Sequence, residues 1–248
     1  MNLLKNIISG SSLSKPVDLS VLKTDMHSHL IPGIDDGSKS MEESVDLIRK
    51  LADLGFKKLI ITPHIMGDYF KNTPEIILSG LESLRFAVKN AGMSIELEAA
   101  AEYLIDDGFE EKLKSGKLLT FGNNYLLIEL SFFAEHPNLS SLLFDLQIAG
   151  YKVVLAHPER YSYWNDDFKK YEELKNRNIF LQLNIVSLSG FYSEQSKKMA
   201  EKLIDKKMID FLGTDSHNFD YIKGVEESLF EKSLNKVLTT NNILNSTL

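Results

Sequence analysis

The sequence predicts an α/β fold with a distorted, barrel-like seven-stranded sheet, on three observations. Short apolar or β-branched runs recur seven times and alternate with segments of helical pattern, which is the grammar of βαβ units. The chain has 248 residues, and a barrel of this class commonly takes about 250 in one core. No linker, low-complexity tract or internal repeat interrupts the series. One domain over residues 21–248 is expected, preceded by an N-terminal arm over residues 1–20.

In the arm, Leu3, Leu4, Ile7 and Ile8 fall at helical spacing. They read as a short segment packed on its own domain, with a weak membrane or partner contact as the alternative. The strands are expected at residues 22–26, 58–62, 95–101, 125–130, 152–156, 180–184 and 209–213. Between the first two, Ser40 and Glu43 form a capping box that opens a helix, and Gly55 stands where a left-handed residue would end it. Thr73 followed by Pro74 opens the next helix, and Gly92 closes it. Further helices are expected at 139–149, 166–176 and 193–206, with a C-terminal helical segment after Val225.

Composition narrows the chemistry. The apolar share of 43%, with 14 glycines besides, is that of a folded globular domain. With 28 Lys and Arg against 35 Asp and Glu the net charge is −7, so the dense basic face that nucleic acid requires is not expected. The absence of cysteine removes disulfides, thiolate metal sites and cysteine nucleophiles together. No apolar run approaches the roughly 18 residues of a membrane-spanning helix, and a cytoplasmic location is expected. There is neither a phosphate-binding Gly-x-x-x-x-Gly-Lys-Ser/Thr loop nor a Gly-x-Ser-x-Gly elbow.

The informative pattern is where histidines and certain acids lie. His27 and His29 follow the first strand, His64 the second, Glu102 the third, and Glu129 lies near the end of the fourth. His157 follows the fifth, and Asp215 and His217 follow the seventh. In a parallel barrel all these C-terminal ends open on one face, where barrel enzymes build their sites. His27 and His29, like Asp215 and His217, are two apart, so in an extended chain each pair faces one way. Imidazole nitrogens and carboxylate oxygens suit divalent Mn, Fe, Zn or Mg once thiolates are absent. Glu102 and Glu129 sit in apolar surroundings where an unpartnered carboxylate is costly. Asp36, in an Asp-Asp-Gly turn, reads either as another ligand or as an ordinary turn residue. The sixth histidine, His136, lies in a loop and reads as solvated.

Of four arginines, only Arg160 neighbours a candidate ligand, in His157-Pro158-Glu159-Arg160-Tyr161. A guanidinium there can fork onto two oxygens of a phosphoryl group, or else pair with Glu159 or a helix carboxylate. Clustered divalent ions generate hydroxide near neutral pH and stabilise a leaving oxygen, which suits phosphate-ester hydrolysis. Tyr69, Phe70, Tyr103, Phe191 and Tyr192 are expected on loops after strands, as pocket walls for an aromatic leaving group or as ordinary packing.

These residues resemble the PHP (polymerase and histidinol phosphatase) superfamily from about residue 22 to 242. They are most similar to its metal-dependent protein-tyrosine phosphatases of bacterial capsule and exopolysaccharide systems. Seven ordered motifs carry the resemblance: Asp25-Met26-His27-Ser28-His29, Gly33-Ile34-Asp35-Asp36-Gly37-Ser38, Thr62-Pro63-His64, Ala101-Glu102, Ile128-Glu129, the His157 to Tyr161 run and Thr214-Asp215-Ser216-His217-Asn218. The resemblance implies a distorted barrel of the PHP type holding three divalent ions, with manganese the expected metal. His27, His29, Glu102 and Asp215 would hold one, Glu102 would bridge to a second held by Glu129 and His157, and Asp36, His64 and His217 would hold the third. Arg160 would bind the phosphoryl group. Relatives often carry a further arginine shortly after the last motif, where this chain's nearby base is Lys223.

The expected activity is thus a cysteine-independent protein-tyrosine phosphatase in which hydroxide on the metals attacks phosphorus. Arg160, His157 and Asp215 are the expected catalytic residues, and a bacterial tyrosine autokinase is the expected substrate. The alternatives are a small-molecule phosphomonoesterase such as histidinol-phosphate phosphatase, and a catalytically silent scaffold module.

Overall fold

The structure, a computed structural model, describes residues 12–116 and 118–248; Leu3, Leu4, Ile7 and Ile8 lie outside them. Its strands are β1 (Thr24–Asp25), β2 (Lys58–Ile61), β3 (His64–Ile65), β4 (Glu96–Ala99), β5 (Glu102–Leu104), β6 (Tyr125–Glu129), β7 (Lys152–Ala156), β8 (Phe180–Asn184) and β9 (Phe211–Gly213). Its helices are α1 (Met41–Asp53), α2 (Pro74–Asn90), α3 (Phe109–Ser115), α4 (Leu139–Ile148), α5 (Lys169–Asn176), α6 (Glu194–Asp205), α7 (Phe219–Ser228) and α8 (Lys232–Thr240).

All pairings between these strands are parallel, in the orders β1-β2-β4 and β3-β5-β6-β7-β8-β9. The two sheets are one course of chain interrupted twice. Leu59 pairs with Leu97 and His64 with Glu102, so β2/β4 and β3/β5 share one register offset of 38 residues. Pro63 lacks the N–H a ladder needs, which breaks the second strand between β2 and β3. Hydrogen bonds from Ala100 N to Ile61 O (2.9 Å) and Glu102 N to Pro63 O (3.1 Å) carry the pairing across the gap.

The last strand meets the first through a parallel bridge between Ser28 and Ser216. Asp215 N donates to His27 O at 2.8 Å and His29 N to Ser216 O at 2.9 Å. The Asp25 carboxylate accepts from Thr214 N and Oγ1 at 2.9 and 2.5 Å. The seven expected strands are therefore present in a distorted barrel, two of them split.

The helix signals act as expected. Ser40 accepts from Glu43 N at 3.2 Å, and Glu43 reaches Lys39 N at 2.8 Å. Thr73 accepts from Ile76 N at 3.3 Å ahead of Pro74. Three features differ from expectation. The first strand is short because Leu19–Leu22 form a 3-10 turn capped by Asp18, which buries Leu19 and Leu22. The two-turn α3 is not among the expected helices, having too few residues for a period to show. The C-terminal segment is two helices and starts before Val225, because Asn218 caps Asp220 N at 3.0 Å. Residues 12–17 lie along the C-terminal part, Leu13 N donating to Phe230 O and Val17 N to Leu229 O at 2.7 and 2.8 Å.

The main core lies between the strands and the helices, and a smaller cluster of Met26, Ile60, Ala100, Leu127, Val154, Ala156 and Phe211 fills the interior. Phe121, Tyr125, Phe180 and Phe211 pack edge and face at the N-terminal end of the strands. With that end filled, the polar interior is confined to the other. Among the described residues no helix is long and apolar enough to cross a membrane.

Candidate metal centre

Alternation along the strands aims the polar interior residues. Leu127 belongs to the interior cluster, so Glu129, two residues on, shares its face. Two of the residues have left-handed backbone, His157 at φ 34° and Asp215 at φ 53°; at His157, which follows the interior Ala156, this brings inward a side chain that regular extension would send out. Such conformations are strained for residues with a Cβ and gather at functional sites. Glycine lets the backbones close in. A Cβ on Gly37 would lie 2.1 Å from His29 O, and one on Gly213 would lie 2.7 Å from the His27 Cβ.

All nine candidate ligands converge. His27 Nε2, His29 Nε2, Glu102 Oε2 and Asp215 Oδ1 form one knot, with five of their mutual distances between 3.2 and 3.4 Å. Ligand atoms arranged tetrahedrally at bonds of about 2.1 Å stand roughly 3.4 Å apart, so the mutual spacing of His27, His29 and Asp215 fits a shared cation, with Glu102 close to both imidazoles. The other Glu102 oxygen, Oε1, lies 2.9 Å from His157 Nε2. Glu129 reaches His64 Nδ1 at 2.9 Å through Oε1 and His157 Nε2 at 3.9 Å through Oε2. Asp36 Oδ1 is 3.4 Å from both His64 Nε2 and His217 Nε2. Among the described residues eight of these donors form three groups whose atoms lie within 4.8 Å of one another: His29, Asp36, His64 and His217; His27, His29 and Asp215; and His64, Glu102 and Glu129. His64 thus faces two carboxylate sets, one with each ring nitrogen. His157 joins these groups through Glu102 Oε1.

Several of these close pairs are not aligned as hydrogen bonds. Asp215 Oδ1, Glu129 Oε1 and His64 Nδ1 are buried without a hydrogen-bond partner. Buried lone pairs left facing one another suit a cation between them far better than an empty gap.

The surrounding hydrogen bonds fix which nitrogens are free. His27 Nδ1 lies 2.8 Å from Gln182 Oε1, His29 Nδ1 2.8 Å from Asp35 Oδ2, and His217 Nδ1 2.7 Å from the Asp215 carbonyl. Each acceptor keeps the proton on Nδ1 and leaves the Nε2 lone pair facing the cluster. Asp35 also accepts from His64 N and Gly37 N at 3.2 and 3.0 Å.

The electrostatics follow from burial and mutual attraction. Burial alone would lower the His27 imidazole, but Glu102 and Asp215 raise it to about 9. His29 is likewise held well above its ordinary value against burial, chiefly by Asp35. Burial would raise the Glu102 and Asp215 carboxyls, yet His27 and its neighbours hold both well below the usual range. Asp35 is held at about 2 by His29 in spite of its burial. His157 departs from the other rings: burial, then Arg160, lowers it, which favours a neutral imidazole. The donor set therefore carries negative charge that protons must balance when metal does not.

Arg160 stands at the edge of this cluster, its NH1 3.5 Å from Asp215 Oδ2. Its guanidinium carbon lies 4.3 Å from the Phe132 ring centroid and 4.0 Å from that of Tyr192. Glu159 is not its partner. That carboxylate accepts instead from Ser187 Oγ at 2.6 Å and Asn184 N at 3.1 Å. Asp215 Oδ2 accepts from Asn184 Nδ2 at 2.7 Å and the Tyr192 hydroxyl at 2.8 Å, which holds Oδ1 toward the imidazoles.

The sequence reading missed Asp35, Gln182, Asn184 and Phe132. Gln182 and Asn184 had a signal, being polar residues two apart on one face of the apolar run 180–184. Of the expected pocket walls, Tyr103 is instead a core residue of β5, its hydroxyl accepting from Leu119 N at 2.7 Å. Tyr69 turns out to solvent. His136 is half-buried rather than solvated, accepting from Asn138 N at 3.2 Å. Lys223 is exposed. It follows Tyr221 by two positions on α7, about 200° around the helix, and Tyr221 is the residue stacked on His217 at 4.8 Å.

Residues 23–224 match the family model for capsular polysaccharide synthesis, CpsB/CapC. The tyrosine-protein phosphatase YwqE of Bacillus subtilis is 28% identical over 195 residues, 78% of this chain and 77% of its own. The tyrosine-protein phosphatase CpsB of Streptococcus pneumoniae is 28% identical over 202 residues, 79% of this chain and 83% of its own. The putative tyrosine-protein phosphatase CapC of Staphylococcus aureus is 27% identical over 195 residues, 78% and 76% of the two chains. Among solved structures, one from a study of YwqE from Bacillus subtilis and CpsB from Streptococcus pneumoniae, described as unique metal-dependent tyrosine phosphatases, superposes with a TM-score of 0.79. It is 24% identical and covers 90% of each chain, which establishes the shared fold. A putative histidinol phosphatase from Listeria monocytogenes superposes at 0.50 with 14% identity, covering 81% of this chain and 97% of its own.

Proposed function

Because this chain belongs to the CpsB/CapC family of capsular polysaccharide synthesis proteins, we propose that it is a metal-dependent protein-tyrosine phosphatase. Residues 21–248 form its single catalytic domain, acting in the cytoplasm on phosphotyrosine of a bacterial tyrosine autokinase. The observation that carries the reading is the convergence of nine ligand-type side chains beside one half-buried guanidinium, in a chain without cysteine.

Three divalent ions, manganese by preference, would be held by His27, His29, Glu102 and Asp215, by Glu102, Glu129 and His157, and by Asp36, His64 and His217. When bound, such ions acidify water to near neutrality, hold phosphoryl oxygens and stabilise a leaving oxygen. The chain's own residues do the rest. Arg160 presents its fork to two phosphoryl oxygens, and the rings of Phe132 and Tyr192 hold its plane. Asn184 and Tyr192 fix Asp215 by one oxygen so that the other stays with the imidazoles. His157, kept neutral, offers a lone pair at neutral pH. Phosphotyrosine suits this arrangement because tyrosinate leaves without needing a strong acid.

The test compares kcat/KM for a tyrosine-phosphorylated peptide and for histidinol phosphate, with manganese-loaded protein. A ratio well above one, abolished by chelator, supports the tyrosine phosphatase. A ratio below one assigns the site to a small-molecule phosphomonoesterase, and inertness to both assigns the fold to a scaffold.

A further inference from the structure

Three loops at the mouth of the site carry adjacent aromatic pairs: Tyr69-Phe70, Phe132-Phe133 and Phe191-Tyr192. In each pair one ring lies on a residue of the site. Phe70 stacks on His64 at 5.6 Å and 14°, while Phe132 and Tyr192 lie on Arg160. The neighbour in two of the pairs is turned outward, Tyr69 being 79% exposed and Phe133 95%, while Phe191 is 39% exposed, as Phe132 is, and offers one side to solvent with the other packed on Tyr221 at 4.8 Å.

Hydrogen bonds anchor the loops that carry Tyr69 and Phe133. Met66 and Phe70 exchange backbone hydrogen bonds at 2.9 and 3.0 Å, and Asp106 accepts from Gly67 N at 2.8 Å. Ser131 Oγ accepts from Phe133 N at 3.2 Å, and the Ser131 carbonyl accepts from the Tyr163 hydroxyl at 3.0 Å. Glu135 then ties the same loop to Trp164 Nε1 at 2.7 Å. A large apolar ring kept in water gains by being covered, and an anchored loop loses little backbone entropy when that happens.

We propose that Tyr69, Phe133 and Phe191 form a docking rim for the polypeptide on either side of the phosphorylated residue. The occupant is an extended peptide with apolar side chains next to its phosphorylated tyrosine. Its position is set by continuity, because each outward ring is one residue from a ring that touches His64 or Arg160. A phosphoryl group on Arg160 therefore brings its flanking chain across the rim. A free phosphomonoester reaches only the inner rings. The inference rests on the phosphatase reading and adds to it the residues that select a polypeptide.

The test uses full-length, manganese-loaded protein, with a tyrosine-phosphorylated peptide and phenyl phosphate as substrates. The double variant Tyr69→Ala/Phe133→Ala should raise KM for the peptide about tenfold with kcat unchanged. Its kcat/KM for phenyl phosphate should stay within about twofold of the parent. Phe86→Ala, which removes an exposed ring from α2, should change neither. An unchanged peptide KM, or equal losses on both substrates, overturns the rim. A parent protein inert to both substrates overturns the phosphatase reading, and the rim with it.

Discussion

The Nε2 atoms of His27 and His29 face one another at 3.3 Å, although each ring has a protonated side that could have been turned there. The cause lies behind the rings, where Gln182 and Asp35 each accept from an Nδ1.

Asp35 is therefore expected to govern metal affinity without touching metal. Asp35→Asn should weaken manganese binding about 10- to 100-fold, the usual effect of removing such a supporting acceptor. A metal titration measures it. Affinity of the parent should also rise with pH toward about 9, because a proton held on His27 competes with metal below that value.

Arg160 and Tyr192 separate phosphate binding from metal binding. Arg160→Lys keeps the charge but loses the fork and the stacking. It should lower kcat/KM on a phosphotyrosyl peptide about 100-fold with metal content unchanged. Tyr192→Phe keeps the ring on Arg160 and removes one donor to Asp215, so its loss should be smaller. Steady-state kinetics with metal analysis distinguishes the two.

Gly37 marks a close approach rather than a flexible turn. A Cβ at this position meets His29 O at 2.1 Å and its Cβ at 2.6 Å. Gly37→Ala should cost about 1–3 kcal/mol, as overpacking does. A chemical denaturation midpoint should fall, and manganese affinity with it.

Glu159 supplies a pH dependence with a definite sign. Burial raises its carboxyl to about 7 against the lowering pull of Ser187, Asn184 and Arg160. The folded protein thus keeps a proton that the unfolded chain gives up from about pH 4.5. Stability from this group falls as pH rises between about 4.5 and 7 and is level above. Glu159→Gln never ionises and so should gain Tm relative to the parent across that window, and hold the gain at pH 8.

Much of this was legible in the sequence because strand ends carry their own signal. His27, His29, His64, Glu102, Glu129, His157, Asp215 and His217 could be aligned to one face simply by following short apolar runs. The split at Ala100-Ala101 was not legible, since the apolar pattern runs on across an interrupted ladder; Pro63 marked where β2 ends but not that the two-residue β3 follows it. The orienting residues were hidden for another reason. Asp35 looks like any residue of an Asp-Asp-Gly turn until His29 is seen behind it, and Phe132 looks like loop packing until Arg160 lies on it. Such roles arise from contacts across 6 and 28 residues of sequence, which no local period records.

The most direct measurement is phosphotyrosine hydrolysis followed while bound metal is stripped by chelator and restored with manganese, with metal content read on each sample. Activity should fall in step with bound metal and return with it. Full activity in protein shown to hold no metal would contradict the assignment of the histidine and carboxylate cluster as the catalytic centre.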